Sequence, residues 1–570
     1  MSPAAARAAE LRLPGHRAMA LAVARQRMVI GLLIVFGLIA ILILRLLELG
    51  LLYDGPDRRN AIASTVPARA DITDRHGTPL ARNFQAFAIA ARPYDIVSDK
   101  RVLASRIAAL LPSRSEAQIF AALTHPGKFK YIARRVLPAD AEKIRRLGDP
   151  GITLEREGER LYPNLTMAAQ VLGVMSEDGK GAGIERAFNA RLSDPKLLGT
   201  PLALALDARV QQSLESELAF AMAKHSAEGA AGVVMDVHTG EVLAMASLPS
   251  WNPNAPGGAM GMPAYMNRAT LAVFELGSTF KGFTIAMGLD VGTIPSLAKT
   301  YDARAPLHTG RFVIKDDHPQ NRIMSVPDVF VYSSNIGTAK MALEYGEPVQ
   351  REYLRRMGFL DKVSGELLEK GRTLYPPVSN WGQSAVMTVG FGHGIAVTPL
   401  HLAVAYSTLV NGGIYRPATF LKVDPARANP GRRVFKQSTS DTMRILLRAA
   451  VTEGTGGQAD APGYRVGGKT GTAEMPRPRE LGGGYYHDKN ITTFAGAFPM
   501  DAPRYAVIVS LMDGKGTKDT YGFRTAGWLA APIFKRTVLR IAPVLGVAPD
   551  AAREVDMSSV KSLIVPKHKG

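Results

Sequence analysis

The sequence predicts an α+β protein: a single N-terminal transmembrane helix, a mixed region after it, and a larger domain built on an antiparallel sheet with helices on both sides. Three observations carry that expectation. Residues 28–44 hold no charged side chain. Residues 232–240 and 241–247 read as strand, turn, strand, and strands return only at 492–498 and 505–512. Helical patterns fill most of the two hundred residues between, so a sheet assembled from distant hairpins must carry those helices on its faces.

The N-terminal element comes first. Residues 28–47, with Arg45 close enough to the end to reach the interface, cover about 30 Å as a helix at roughly 1.5 Å per residue, enough to cross a bilayer. The apolar run is too long for a cleaved signal, and the nearest small-x-small site, at Ala61–Ala63, lies too far downstream. Residues 1–27 carry five arginines against Glu10, which places the N-terminus in the cytoplasm and the rest outside. In a bacterium this is the inner membrane, with everything after about residue 50 in the periplasm.

Residues 48–68 read as a linker. Arg75-His-Gly77 then marks a turn between two apolar stretches, a hairpin. Residues 113–123 and 139–147 read as amphipathic helices with capping candidates. The larger domain is expected over 201–545, opening with a helix at 208–225 and closing with one at 526–540. Residues 546–570 read as a mobile, basic-ended tail.

Composition limits the functions available. The chain has 570 residues, 46% of them apolar, so it holds sizeable cores. It has no cysteine, hence no disulfide. The net charge of +19 raises nucleic acid as a partner, but no Lys/Arg run exceeds two residues, so a basic surface facing an anionic envelope is the simpler reading and no nucleic acid is expected. Isolated histidines such as His393 and His487 give no reason to expect a metal, and no cofactor is expected.

The chemistry lies in three clusters: Ser278-Thr-Phe-Lys281, Ser333-Ser-Asn335 and Lys469-Thr-Gly471-Thr472. Ser-x-x-Lys also occurs at Ser193/Lys196, Ser296/Lys299 and Ser558/Lys561, but only Ser278 is followed by Ser-x-Asn and then Lys-Thr-Gly. The first cluster reads as a loop entering a buried helix, a spacing that can bring the Lys281 amine toward the Ser278 hydroxyl. A lysine activates an alcohol only with a depressed pKa, which burial and repulsion from Lys469 would supply. Ser333 suits proton relay, and Asn335 offers a donor and an acceptor to a peptide-like substrate. Lys469, Thr470 and Thr472 present charge and hydroxyls to a carboxylate, while Gly471 admits a close backbone. The stretch Gly463-x4-Gly468-Lys469-Thr470 also satisfies a phosphate-loop pattern, but Pro476 and Pro478 oppose the helix that loop requires.

The order and spacing of these clusters resemble the penicillin-interacting serine enzymes. Asn267-Arg-Ala269, Glu275-Leu-Gly277 and Gly392-His-Gly394 through Leu400 add to the likeness, with Leu276 where proline is usual. Arg69-Ala-Asp, Arg160-Leu-Tyr-Pro163 and Gly183-Ile-Glu185 resemble the pedestal, or dimerisation-type, domain of class B penicillin-binding proteins, expected over 69–200. The middle Ser334 fits the penicillin-binding side better than the lactamase side. Residues 379–382 and 391–394 look like the cell-division branch.

The resemblance implies a peptidoglycan D,D-transpeptidase working through a Ser278 acyl-enzyme in septal wall synthesis. β-Lactams would be its inhibitors, and a polytopic glycan polymerase with other division proteins its partners. It also implies an oxyanion hole from the backbone N–H groups of Ser278 and Thr472. The alternatives are a D,D-carboxypeptidase or β-lactamase-type hydrolase, and a non-enzymatic β-lactam sensor or scaffold.

Overall fold

A computed structural model of the chain describes residues 16–47, 69–175, 180–256, 263–275, 277–310, 312–477 and 482–566. The first 15 residues, the linker, Leu276, Pro478 and the last four residues lie outside these. The N-terminal helix runs His16–Leu47, with its apolar span at Val23–Arg45. Its large apolar side chains, from Met28 to Leu44, are all exposed, as a helix apolar on every face must be when lipid is its solvent.

The described residues divide into two compact units, one drawn from residues 16–47 and 86–157, the other from 69–85 and 158–566. In the first, helices Lys100–Leu110, Glu116–Leu123 and Pro138–Arg145 pack with strand Lys130–Val136 around Ile89, Leu103, Ile107, Ile119 and Ile144. The helix expected from Ser113 begins at Glu116, because Ser115 and Gln118 form a reciprocal capping box there. The helix Lys100–Leu110, capped by Asp99, had no sequence expectation.

In the second unit the hairpin around Arg75-His-Gly77 forms as expected. Ile72 faces Ala81 across it, and Gly77 takes φ +89°, a left-handed value that glycine adopts cheaply. Residues 69–85 and 158–200, read with the pedestal, pack in the same unit as everything after 201. Ile72 pairs in parallel with Leu202, and Glu185 accepts from both Arg69 (2.9 Å) and Arg160 (2.7 Å).

The main sheet has five antiparallel strands: β1 Gly229–Asp236, β2 Val242–Leu248, β3 Gly467–Pro476, β4 Tyr485–Phe498 and β5 Tyr505–Met512, in the order β3-β4-β5-β1-β2. Helices Ala208–Lys224 and Ala530–Val544 cover one face through Leu214, Leu218, Ile533 and Phe534. The wholly buried helix Pro399–Val410 joins the core of the other face with Ala231, Val233 and Ile508. Three two-stranded ribbons, between 300 and 433, interrupt the helical region and were not foreseen.

One expectation is corrected outright. Residues 546–566 are not loose: Val560 is fully buried, and Ser325 Oγ donates to the Leu563 carbonyl (2.6 Å). The Val565 N–H donates to Asp328 (3.0 Å), and its carbonyl accepts from the Tyr332 hydroxyl (2.8 Å). A few apolar residues among basic ones gave no periodicity to read, yet the backbone of Leu563 and Val565 is bonded to Ser325, Asp328 and Tyr332, in and at the ends of the helix Val326–Val331 that precedes the second cluster.

Candidate active site

Ser278 sits in the 3₁₀ turn Gly277–Phe280, which runs directly into the helix Lys281–Val291. Three residues per turn set Ser278 and Lys281 one above the other on the same face. The turn is held from several sides. Tyr406 OH donates to the Thr279 carbonyl (2.9 Å), and Gly277 takes φ +52°. A Cβ on Gly277 would lie 2.6 Å from the Thr472 carbonyl oxygen, and one on Gly392 would lie 2.0 Å from the Gly277 carbonyl oxygen. Strand β3 and the Gly392 turn therefore both press on the residue beside the serine, which is why glycine stands at 277 and 392. Ser278 itself is half-buried.

The second cluster lies between helix Val326–Val331 and helix Asn335–Arg356. Ser333 adopts φ +61°, a strained value for a residue with a side chain. Its neighbours hold it so: Ser334 Oγ caps the following helix at Gly337 N (3.0 Å) and donates to Asp316 (2.7 Å), while Asp316 also accepts from Ile336 N (3.0 Å). Asn335 Nδ2 donates to the Lys315 carbonyl (2.9 Å).

The three clusters meet at the Ser333 hydroxyl. Lys281 Nζ lies 3.1 Å from Ser333 Oγ and 2.5 Å from the Ser333 carbonyl oxygen. Lys469 Nζ, from edge strand β3, reaches the same Oγ at 3.0 Å and bonds Thr470 Oγ1 at 3.3 Å. Thr470 Oγ1 also bonds Thr455 Oγ1 (2.8 Å). Gly471 pairs with Thr493, and Thr472 Oγ1 accepts from Ala526 N (3.0 Å), leaving the Thr472 hydroxyl proton for another acceptor.

Both lysines are completely buried. Burial pushes Lys281 down to about 8, against the opposing pull of Asp316 and Asp317. Burial holds Lys469 well below the usual lysine range, and repulsion from Lys281 adds to it. The expected repulsion is thus present but weighs on Lys469; for Lys281 the leading cause is desolvation. Two amines around one hydroxyl, with depressed proton affinity, form a path along which a proton can be taken up and handed on.

The other Ser-x-x-Lys pairs are structural. Ser193 accepts from Arg69 (3.1 Å), Lys299 binds Glu344 (2.8 Å), and Ser558 and Lys561 lie in a four-residue helix of the C-terminal segment. The phosphate-loop pattern also lapses, since Lys469 lies within a strand.

Several residues around the site were given no role from the sequence. Asp316 braces Ser334, and Tyr332 ties the second cluster to the C-terminal segment. Glu275, three residues before the serine, accepts from Gly394 N (2.6 Å), Tyr485 OH (2.8 Å) and His393 Nδ1 (2.7 Å), which raises the His393 pKa. His393 is here part of the frame around the loop that leads into Ser278.

Comparison with known proteins agrees with this arrangement. Residues 230–537 match the penicillin binding protein transpeptidase domain, and residues 64–200 the penicillin-binding protein dimerisation domain. The chain is 39% identical over 493 residues to the probable peptidoglycan D,D-transpeptidase FtsI of Caulobacter vibrioides, covering 84% of this chain and 82% of that protein. It is 33% identical over 540 residues to the peptidoglycan D,D-transpeptidase FtsI of Escherichia coli K12, covering 88% of each. The aztreonam complex of penicillin binding protein 3 from Mycobacterium tuberculosis superposes with a TM-score of 0.66 at 25% identity, over 85% of this chain and 97% of that one. With two lysines from distant segments on one serine hydroxyl, and both domains matched in order, the chain belongs to the penicillin-binding protein transpeptidase family.

Proposed function

We propose that the protein is a peptidoglycan D,D-transpeptidase of the cell-division branch, anchored by one membrane span, with Ser278 as nucleophile. Neutral Lys281 takes the Ser278 proton as Oγ attacks the penultimate D-alanyl carbonyl of a stem peptide. The backbone N–H groups of Ser278 and Thr472 receive the oxyanion. Ser333 relays a proton to the departing amine, the C–N bond breaks, and terminal D-alanine leaves. The amine of a neighbouring stem then attacks the ester, forming the cross-link and returning the hydroxyl. Lys469, Thr470 and Thr472 hold the terminal carboxylate, Gly471 lets the extended peptide lie along the free edge of β3, and Asn335 orients its amide. A β-lactam acylates the same serine.

The observation that carries this reading is the Ser333 hydroxyl between Lys281 at 3.1 Å and Lys469 at 3.0 Å. The arginines of residues 1–27 support a cytoplasmic N-terminus and a catalytic domain on the outer side of the inner membrane. The partners suited to a single-span enzyme of this kind are a polytopic glycan polymerase and other division proteins. The test is full-length protein with labelled stem peptide and an acceptor amine. Cross-linked product, absent in Ser278→Ala, is expected; hydrolysis without aminolysis would make it a carboxypeptidase.

A further inference from the structure

Away from the three clusters, a cavity of about 90 Å³ opens where Ala169, Gly173 and Ala182 meet Trp251, Tyr265 and Glu369. Among the described residues, three polar atoms here are buried without a hydrogen-bond partner: Trp251 Nε1, Tyr265 OH and Glu369 Oε1. The Trp251 side chain is buried, at 6% exposure. Arg186 approaches Glu369 Oε1 only to 3.7 Å, beyond hydrogen-bonding reach. Other polar side chains at the cavity are satisfied: Gln170 donates to the Ala264 carbonyl (2.9 Å), and Asn267 Oδ1 accepts from Ala269 N (3.1 Å).

An unpaired buried polar group costs roughly 1–3 kcal/mol, so three around one cavity describe the occupant that would satisfy them. Indole N–H only donates, the phenol donates or accepts, and a carboxylate only accepts. Burial and the nearby Glu369 charge raise the Tyr265 pKa, keeping its proton in place. An occupant that satisfies all three shows an acceptor to Trp251, an acceptor or a donor to Tyr265, and a donor to Glu369. A secondary amide does both. Ala169, Gly173 and Ala182 give the cavity a wall of small residues. Trp251 and Tyr265, 4.8 Å apart and tilted by 36°, offer the aromatic faces against which sugar C–H groups lie.

We infer that this cavity is an acetamido-binding subsite that takes the N-acetyl group of an amino sugar, and so grips the glycan strand while the peptide occupies the cleft at Ser278. This rests on the transpeptidase reading, in that the substrate then carries an acetamido group on each sugar. It adds a contact to the polysaccharide rather than to the stem. The cavity also touches Asn267, at the start of the run leading to the nucleophile turn.

The test titrates full-length protein in detergent with N,N′-diacetylchitobiose, following tryptophan fluorescence, with chitobiose and N-acetylalanine methylamide as controls. Saturable binding of the diacetylated sugar alone is expected. Tyr265→Phe and Glu369→Gln should each weaken it roughly three- to tenfold, while labelling of Ser278 by fluorescent penicillin keeps its wild-type rate. Equal binding of chitobiose, preference for the peptide amide, or no saturable binding would overturn the subsite. So would a crystal soaked in the sugar that shows only water on the three atoms. Penicillin labelling without sugar binding would remove this inference and leave the transpeptidase reading standing; sugar binding without labelling would do the reverse.

Discussion

Two buried charge clusters in this molecule are built on opposite terms. In the first, Glu185 is wholly buried and accepts from Arg69, Arg160 and the Tyr162 hydroxyl. Arg69 is further bonded to Asn189 (2.6 Å) and Ser193 (3.1 Å), and Arg160 to the Ala70 carbonyl (2.9 Å). In the second, Lys281 and Lys469 are as deeply buried, yet their contacts are neutral oxygens of Ser333 and Thr470. Charges matched by opposite charge fix geometry. Amines left short of counter-charge shift toward the neutral form, which is the form that can accept a proton. The contrast separates a structural clamp from a reactive centre within one compact unit.

The largest effect expected at the reactive centre is from Ser278→Ala, which should abolish covalent labelling by fluorescent penicillin. Retained labelling would move the nucleophile elsewhere. At the clamp, Glu185→Ala leaves two arginines buried without their partner and should cost about 3–5 kcal/mol of stability by denaturant unfolding. Folded Glu185→Ala protein should still be acylated, because none of the three clusters touches Glu185. A loss below about 1 kcal/mol would show the clamp to be solvated. A smaller effect is expected from ending the chain after Asp556, which removes the contacts of Leu563 and Val565 with Ser325, Asp328 and Tyr332. Acylation should slow roughly tenfold, and Tyr332→Phe should slow it less, about threefold, as fits one lost hydrogen bond. Unchanged rates would mean that the C-terminal segment only covers the helix before Ser333.

Much of this was legible in the residues because it is local or strongly typed. The apolar span, the antiparallel sheet and the order of the three clusters follow from runs and motifs a few residues long. Asp316, Tyr332 and the Glu275–His393–Tyr485 group were not legible, since each acts through a single side chain meeting a distant segment. Glu275 was quoted only for its likeness to the approach to the serine, and His393 only as an isolated histidine and as part of the Gly392-His-Gly394 run. The C-terminal segment was misread for a related reason: its anchoring uses backbone groups of Leu563 and Val565, which no side-chain pattern announces. The cause of the Lys281 shift was half legible, as spacing shows a neighbouring cation but not the depth of burial.

Lys281 carries the sharpest consequence. Its folded pKa, about 8, lies below that of an unfolded lysine, so between about pH 8 and 10 the unfolded chain binds more protons. Stability contributed at this residue should therefore rise with pH across that window, and be lower beneath it. Reactivity should rise in the same direction and earlier, as the amine becomes able to accept the Ser278 proton. The rate of penicillin acylation measured against pH, with the adduct located by mass spectrometry, tests this directly. A rate that climbs through about pH 8 with the adduct on Ser278 is expected; a flat profile, or an adduct on another residue, would contradict the convergence of the three clusters on a lysine base.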